Sequence, residues 1–184
     1  MKKSLFIWQL LGFIFTSIAG TLLHFLYEWS GNSLLFAPLS AVNESIWEHM
    51  KLLFVPLFFF AIFESRIIKD DFKSFWCIKL KGTLLGLILI PALYYTYTGI
   101  LGRSADWFNI TIFFIATAAV FLTESKTFLS KKPCHISEKT ALSILIILGV
   151  LFVLFTFYPP QIPLFEDPRT ALYGRATLTS TIPC

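Results

Sequence analysis

Five long apolar runs, each about as long as a membrane-spanning helix, constrain the fold of this chain more than any other feature. They occupy about residues 5–26, 46–63, 80–97, 107–123 and 140–158. About 20 apolar residues in a helix cross the hydrocarbon core of a bilayer, because each residue advances the helix by about 1.5 Å. The sequence therefore predicts an all-α integral membrane bundle of five transmembrane helices.

The composition also indicates that the chain folds in a bilayer. Hydrophobic residues make up 56% and charged residues 14% of the sequence, and the mean hydropathy is +0.73. Soluble domains average about 45–50% apolar and about 25% charged residues. The net charge of +4 does not indicate nucleic-acid binding, because Lys and Arg lie between the apolar runs, where they set orientation. The expected partner is the lipid bilayer, and the oligomeric state is left unknown.

The Lys and Arg residues are distributed unevenly between the two sides of the predicted bundle. Eleven of the 15 lie at the N-terminus and in the connections after the second and fourth runs, and the other four are Lys51, Arg103, Arg169 and Arg175. Short cytoplasmic loops are enriched in these residues. The bias predicts a multi-pass plasma-membrane protein with a cytoplasmic N-terminus and a proline-rich extracytoplasmic tail over residues 159–184.

The first run also contains a candidate signal-peptidase site at residues 17–19, Ser-Ile-Ala. Apolar residues continue past this site to Leu26, which makes the run long enough to cross the membrane. We therefore expect an uncleaved first helix, and a cleaved signal peptide is the alternative.

Residues 43–51, Asn-Glu-Ser-Ile-Trp-Glu-His-Met-Lys, place several polar side chains at the start of the second run. Ser45 and Glu48 fit a capping box, in which Ser45 is the N-cap and Glu48 reaches back to it. Asn43 is a competing N-cap. Lys51 lies three residues after Glu48, so the two side chains can pair on one face of the helix.

Six ionisable residues fall at one predicted depth, near the extracytoplasmic ends of the first two helices: His24, Glu28, Glu44, Glu48, His49 and Lys51. Such groups are costly near a bilayer core and usually face a cavity or pathway. The candidate catalytic residues are Glu44, Glu48 and His49. The candidate ligand-binding residues are His24, Glu28, Asn43 and Lys51, together with Asp167, Arg169 and Arg175 of the tail. The alternative is structural, because acidic side chains complement the helix dipole and Lys51 can reach the headgroups.

The same residue types suit a divalent metal, because imidazole and carboxylate are common ligands of such ions. The candidate set is His24, Glu28, Glu44 and His49. The spacing matches no helical signature such as HExxH, and on one helix Glu44 and His49 would point roughly 140° apart. No cofactor is firmly implied, and the metal is retained as an alternative.

The tail carries a second polar set, Glu166, Asp167, Arg169, Tyr173 and Arg175. By the predicted topology it lies at the same membrane face as residues 43–51. It is either a lid, whose arginines can hold a phosphate or carboxylate, or an ordinary exposed tail.

Covalent catalysis has little support in the sequence. Ser45 is explained as a helix cap, and neither a GxSxG motif nor a glycine-rich phosphate loop is present. Cys77, Cys134 and Cys184 are far apart and lack CxxC spacing, so we expect packing or incidental thiols and no disulfide framework.

Several short motifs are distributed over nearly the whole chain. They are Leu-His-Phe-Leu-Tyr-Glu-Trp at 23–29, Val-Asn-Glu-Ser at 42–45, Trp-Glu-His-x-Lys-Leu at 47–52, Phe-x-Pro-Pro at 157–160, Pro-Leu-Phe-x-Asp-Pro at 163–168 and Tyr-Gly at 173–174. On these motifs the chain resembles an uncharacterised, domain-of-unknown-function family of small bacterial multi-spanning membrane proteins. The most specific part of the resemblance is the Asn-Glu-Ser-x-Trp-Glu-His-x-Lys-Leu motif. The resemblance implies an integral membrane protein and no particular activity, cofactor or catalytic residue.

Three functions agree with these observations. The first is a membrane-embedded enzyme that acts on a lipid or isoprenoid headgroup through Glu44, Glu48 or His49. The second is a small transporter or ion-binding protein, although the sequence lacks the internal repeat of many transporters. The third is a non-catalytic accessory protein whose polar residues lock helix packing. The sequence leaves open whether any catalysis occurs.

Overall fold

The computed structural model describes residues 2–68, 74–130 and 134–174, and within these ranges the chain forms five α-helices and no strand. They are α1 (Lys2–Trp29), α2 (Ile46–Ile68), α3 (Phe75–Leu101), α4 (Asp106–Ser130) and α5 (Glu138–Phe157). The predicted all-α fold is confirmed. Four helices, α1 (from Ser4), α3, α4 and α5, are long and apolar enough to cross a membrane, as expected of a multi-pass membrane protein.

Helix α2 lies at the centre of the bundle and contacts each of the other four helices. It buries apolar residues on several sides, including Leu53, Phe54 and Phe60. The surrounding helices instead expose large apolar side chains such as Ile18 and Ile88. An exposed apolar surface of this extent fits contact with lipid. That α2 itself crosses the membrane remains a prediction, since it carries charged residues near both of its ends.

Side-chain contacts show that consecutive helices run in opposite directions. His24 near the end of α1 lies beside His49 near the start of α2, and Gln9 near the start of α1 bonds Glu64 near the end of α2. We call the end that holds residues 159–174 the tail end of the bundle. The opposite end, where α2 is followed by α3 and α4 by α5, is called the basic end.

The helices extend further than the apolar runs on which they were predicted. Glu64, Lys79 and Glu124 lie just outside the predicted runs 46–63, 80–97 and 107–123, so the sequence places them in charged connections. That prediction is wrong. All three lie inside helices and are at most 3% exposed. Neither Gly nor Pro follows Phe63 or Thr123 within the next several residues, so nothing in the backbone ends the helix where the charges begin.

A disulfide joins Cys77 in the first turn of α3 to Cys134, shortly before α5. The expectation of incidental thiols is therefore wrong for these two cysteines, while Cys184 lies outside the described residues. Near the bond, the Glu138 carboxylate accepts hydrogen bonds from the backbone N–H groups of Trp76 and Cys77 at 3.0 and 3.5 Å. These contacts hold the start of α5 against the start of α3.

The orientation of the bundle can be tested with a reporter phosphatase that is active only outside the cytoplasm. The charge bias predicts an active fusion after Tyr158 and an inactive fusion after Lys132. The disulfide at the basic end favours the reverse, because such bonds persist mainly in oxidising compartments. An inactive fusion after Tyr158 with an active one after Lys132 would therefore contradict the charge-based orientation.

Candidate functional site

The chain enters α2 through a capped turn that decides where the polar side chains point. The N–H of Glu48 donates to Ser45 Oγ at 3.4 Å, and the N–H of Ser45 donates to Asn43 Oδ1 at 2.9 Å. Ser45 is thus the cap, as predicted, and Asn43 supports the turn. Glu48 does not reach back to Ser45, because its carboxylate accepts from the N–H of Val42 at 3.1 Å.

Glu48 and Lys51 form an enclosed ion pair at the tail end. Their side chains are 3% and 0% exposed, and the ammonium lies 2.6 Å from Glu48 Oε2. Lys51 Nζ also donates to the carbonyl of Ala37 at 3.0 Å and to the hydroxyl of Thr156 at 2.7 Å. Every proton of the ammonium has a partner, so the pair fastens α2 to α5 and to the loop before α2. A substrate reaches neither side chain in this conformation.

His24, Glu44 and His49 converge beside this pair in a half-buried position. Glu44 Oε1 lies 3.6 Å from His24 Nε2, and Glu44 Oε2 lies 3.6 Å from His49 Nε2. One ligand atom from each residue falls within 4.8 Å of the others. The angular argument against this set does not apply, because Glu44 precedes the cap and is not helical. The set is the one group of three or more His, Cys, Asp or Glu residues within metal-binding distance among the described residues.

The hydrogen bond of His49 defines which ring nitrogen faces the cluster. Its Nδ1 lies 2.9 Å from the carbonyl oxygen of Ser45, and a carbonyl can only accept. Nδ1 therefore carries the proton, and in the neutral ring Nε2 presents a lone pair toward Glu44. A backbone carbonyl is one of the groups that commonly orient a metal-binding histidine through its second ring nitrogen.

The first part of the tail packs directly over the start of α2. The N–H of Trp47 donates to the carbonyl of Leu164 at 3.0 Å, and the Trp47 and Phe165 rings lie 4.8 Å apart. The N–H of Glu44 donates to Asp167 Oδ2 at 3.3 Å, and Asp167 is 4% exposed. These contacts bind the segment that carries Glu44 to the tail.

Arg169 brings a positive charge to the edge of the cluster. Its guanidinium lies 3.5 Å from Glu44 Oε1 and donates to Asp106 at 3.0 Å. The hydrogen bond to Asp106 raises the pKa of Arg169 above its usual value, so the guanidinium stays charged. It is 56% exposed, so the part of the guanidinium that the two carboxylates leave open faces solvent.

The other residues predicted for the site fall outside this cluster. Glu28 is exposed, and among the described contacts no hydrogen bond or ion pair joins its side chain to His24 or Glu44. Asn43 Nδ2 donates to the carbonyl of Gly174 at 3.1 Å, which is a structural contact with the tail. Arg175 lies outside the described residues. Sequence reasoning missed Thr156 and Asp106, because their partners lie 105 and 63 residues away along the chain.

A small apolar pocket with a cavity volume of about 20 Å³ adjoins His49 between α2, α3 and α4. Its wall consists of Ile46, His49, Ile90, Tyr94, Asn109, Ile112 and Phe113. This volume has room for about one water-sized group, so the pocket holds no acyl chain in this conformation.

Comparison with known proteins places the site in a family without giving it a function. A family model described as a family of unknown function (DUF6512) matches residues 1–175. That range includes His24, Glu44, His49 and Arg169. No curated protein and no solved structure matches the chain.

Proposed function

The chain belongs to the family of unknown function DUF6512, which confirms the family resemblance, and we propose that it is a metal-dependent membrane enzyme that acts on the headgroup of an anionic lipid. The convergence of His24, Glu44 and His49 carries this proposal. Two of the three, Glu44 and His49, were candidate catalytic residues by sequence, and all three were candidate metal ligands.

The ligand set suits zinc or a similar divalent ion. Two neutral imidazoles and one carboxylate supply three ligands, and catalytic zinc sites keep a fourth position open for water or substrate. Ligand atoms about 2.1 Å from a tetrahedral ion lie about 3.4 Å from each other. The two histidine–carboxylate separations of 3.6 Å are close to this value. They involve different oxygens of Glu44, and the three ligand atoms lie within 4.8 Å of one another, so the side chains must draw closer around an ion.

The surroundings of the cluster favour an amphiphilic substrate with a negative headgroup. Trp29 and Trp107 are exposed at the same end of the bundle, and aromatic residues of this kind mark the membrane interface. Arg169 offers forked hydrogen bonds to a phosphate or carboxylate. The acyl chain would lie against exposed apolar side chains of the helices, such as Phe25 beside His24.

The chemistry follows from the open ligand position. A divalent ion there would supply an activated water or polarise an ester or phosphoryl oxygen of the headgroup. Glu44, His24 and His49 would hold the ion, and Arg169 would bind the negative charge of the substrate. The Asp167 carboxylate accepts from the N–H of Glu44 and so fixes the backbone of this ligand.

Metal binding is the first test of this function. The purified protein in detergent should bind about one zinc ion per chain in equilibrium dialysis. Glu44→Gln keeps the shape of the side chain but removes the charge. Loss of a group that only orients a metal ligand weakens metal binding about 10- to 100-fold, and we expect loss of the ligand charge itself to weaken zinc binding by at least as much. Because Glu44 is partly exposed, thermal stability should change little.

Glu28→Gln is the matched control, since it removes an exposed carboxylate one helical turn from His24. It should bind zinc as the parent does. Equal binding by Glu44→Gln and the parent would contradict the site. The enzymatic step is then tested with vesicles of anionic phospholipid, where release of headgroup should require the metal and stop with a chelator.

A further inference from the structure

A second polar cluster lies at the basic end of the bundle, far from His24 and Glu44. It joins four helices through Gln9 of α1, Glu64 of α2, Lys79 of α3 and Glu124 of α4. Lys79 Nζ lies 2.5 Å from Glu64 Oε2 and 2.5 Å from Glu124 Oε2. Gln9 Nε2 donates to Glu64 Oε1 at 3.1 Å. All four side chains are enclosed, at 0–3% exposure.

The charges of this cluster do not balance. Two carboxylates face one ammonium, which leaves one net negative charge when all three are ionised. The rings of Phe75, Phe121 and Phe128 surround the ammonium at 5.6–5.8 Å. An uncompensated charge in such a place costs several kcal/mol, so buried ionisable groups gain or lose a proton instead.

No neighbouring group on the packed helices supplies the missing positive charge in the described part of the chain. Arg66, Lys81, Lys126 and Lys139 are exposed, and the described side chains of α1 contribute only the uncharged Gln9. On α5, Glu138 is negative, and its carboxylate is already engaged by the N–H groups at the start of α3.

The hydrogen bonds show a matching deficit. Gln9 Oε1 is buried and has no donor, although its amide nitrogen binds Glu64 in the same cluster. Buried acceptors are rarely left unpaired. A protonated carboxyl group removes one negative charge and adds one O–H donor to a cluster that contains an unpaired acceptor.

The backbone is shaped to admit the second carboxylate. A side chain at Gly82 would place its Cβ 2.7 Å from Glu124 Cγ and 2.8 Å from Glu124 Oε1, and both distances are shorter than the contacts that Cβ atoms make in proteins. The absence of a side chain on α3 at this position allows Glu124 to approach Lys79.

We propose that Glu64 and Glu124 together hold one exchangeable proton, so that the cluster with Lys79 is electrically neutral. The proton comes from water and converts one carboxylate to a carboxylic acid. Aromatic rings separate this site from the tail end, because Phe60 packs against Gly12 and Phe113 against Gly20 so closely that a Cβ would fall within 2.7 Å.

Infrared spectroscopy of the purified full-length protein tests the proposal. Near neutral pH the parent should show the carbonyl stretch of one protonated carboxylic acid in a dry site, and the band should disappear at alkaline pH. Glu64→Gln and Glu124→Gln should each remove it, since the remaining carboxylate then pairs with Lys79 alone. Lys79→Met should roughly double the band. Glu28→Gln should leave it unchanged.

Two results would overturn the proposal. A parent spectrum without the band near neutral pH shows that the cluster is fully ionised. A band that appears in sodium-free buffer and is lost on adding sodium at constant pH shows a cation site instead. The parent spectrum decides whether a protonated carboxyl group is present, and a single folded glutamine variant decides whether it belongs to this cluster.

Discussion

Replacement of Lys51 by Met should lower the free energy of unfolding by about 3–5 kcal/mol, the usual cost of removing one partner of a buried ion pair. Met fills nearly the same volume, so the loss arises from charge and not from a cavity. The variant leaves the Glu48 carboxylate enclosed, with the N–H of Val42 and the hydroxyl of Thr156 as its neighbours. Neither group supplies the positive charge that the carboxylate needs.

The measurement is denaturant or thermal unfolding in detergent at fixed pH. Lys81→Met on α3 is the matched control, because Lys81 is exposed and such changes usually stay within about 0.5 kcal/mol. The double variant Glu48→Gln, Lys51→Met should recover part of the loss, since it removes the stranded charge. If Lys51→Met is as stable as the control, the pair does not carry the packing of α2 on α5.

The general architecture could be predicted because the bilayer imposes it on the sequence. A run of about 20 apolar residues that crosses a bilayer forms a helix, because each backbone N–H and C=O group must find its hydrogen-bond partner within the segment. The cap at Ser45 was predictable for a local reason, as its partner lies three residues away. Contacts between distant segments have no such local signature, and Lys51 with Thr156 is an example.

The basic-end cluster was missed because charge was taken as a sign of a loop. Glu64 and Glu124 each follow an apolar run without an intervening Gly or Pro, and the helix simply continues. The absence of a helix breaker after either run would have predicted that both carboxylates lie on helices. It does not reveal that Lys79 lies between them, because that depends on how α2, α3 and α4 pack.

The tail-end cluster shows a different limit. The cap at Ser45 already places Glu44 outside α2, since residues before the N-cap are not helical. The estimate that Glu44 and His49 point apart assumed a continuous helix through both, which conflicts with that cap. Because Glu44 lies before the helix, its carboxylate can reach both His24 and His49. Glu28 remains helical and points elsewhere, so the four-residue metal set reduces to three.

Truncation after Pro160 should destabilise the protein by about 3–5 kcal/mol, the cost expected for loss of a buried aromatic side chain, and should abolish function while leaving membrane insertion intact. All five helices remain, but α2 loses the ring of Phe165 and the carbonyl of Leu164 that accepts from Trp47. Truncation after Gly174 is the matched control. It removes Arg175 but keeps the packed segment, so equal defects in both truncations would assign the effect to residues 175–184.

Asp167→Asn separates support of the metal site from packing of the tail. The amide keeps the volume of the carboxylate, but its oxygen is a weaker acceptor, so the hydrogen bond from the N–H of Glu44 weakens. The substitution also removes a negative charge near Arg169. Zinc affinity should fall about 10-fold or more, as for other groups that orient a metal ligand, while Phe165 stays packed and membrane insertion is unchanged. Glu166→Gln is the control, because Glu166 bonds Tyr173 and not Glu44. Parent-like zinc affinity in Asp167→Asn would mean that the tail contributes packing alone, and that Glu44 is held by its own turn.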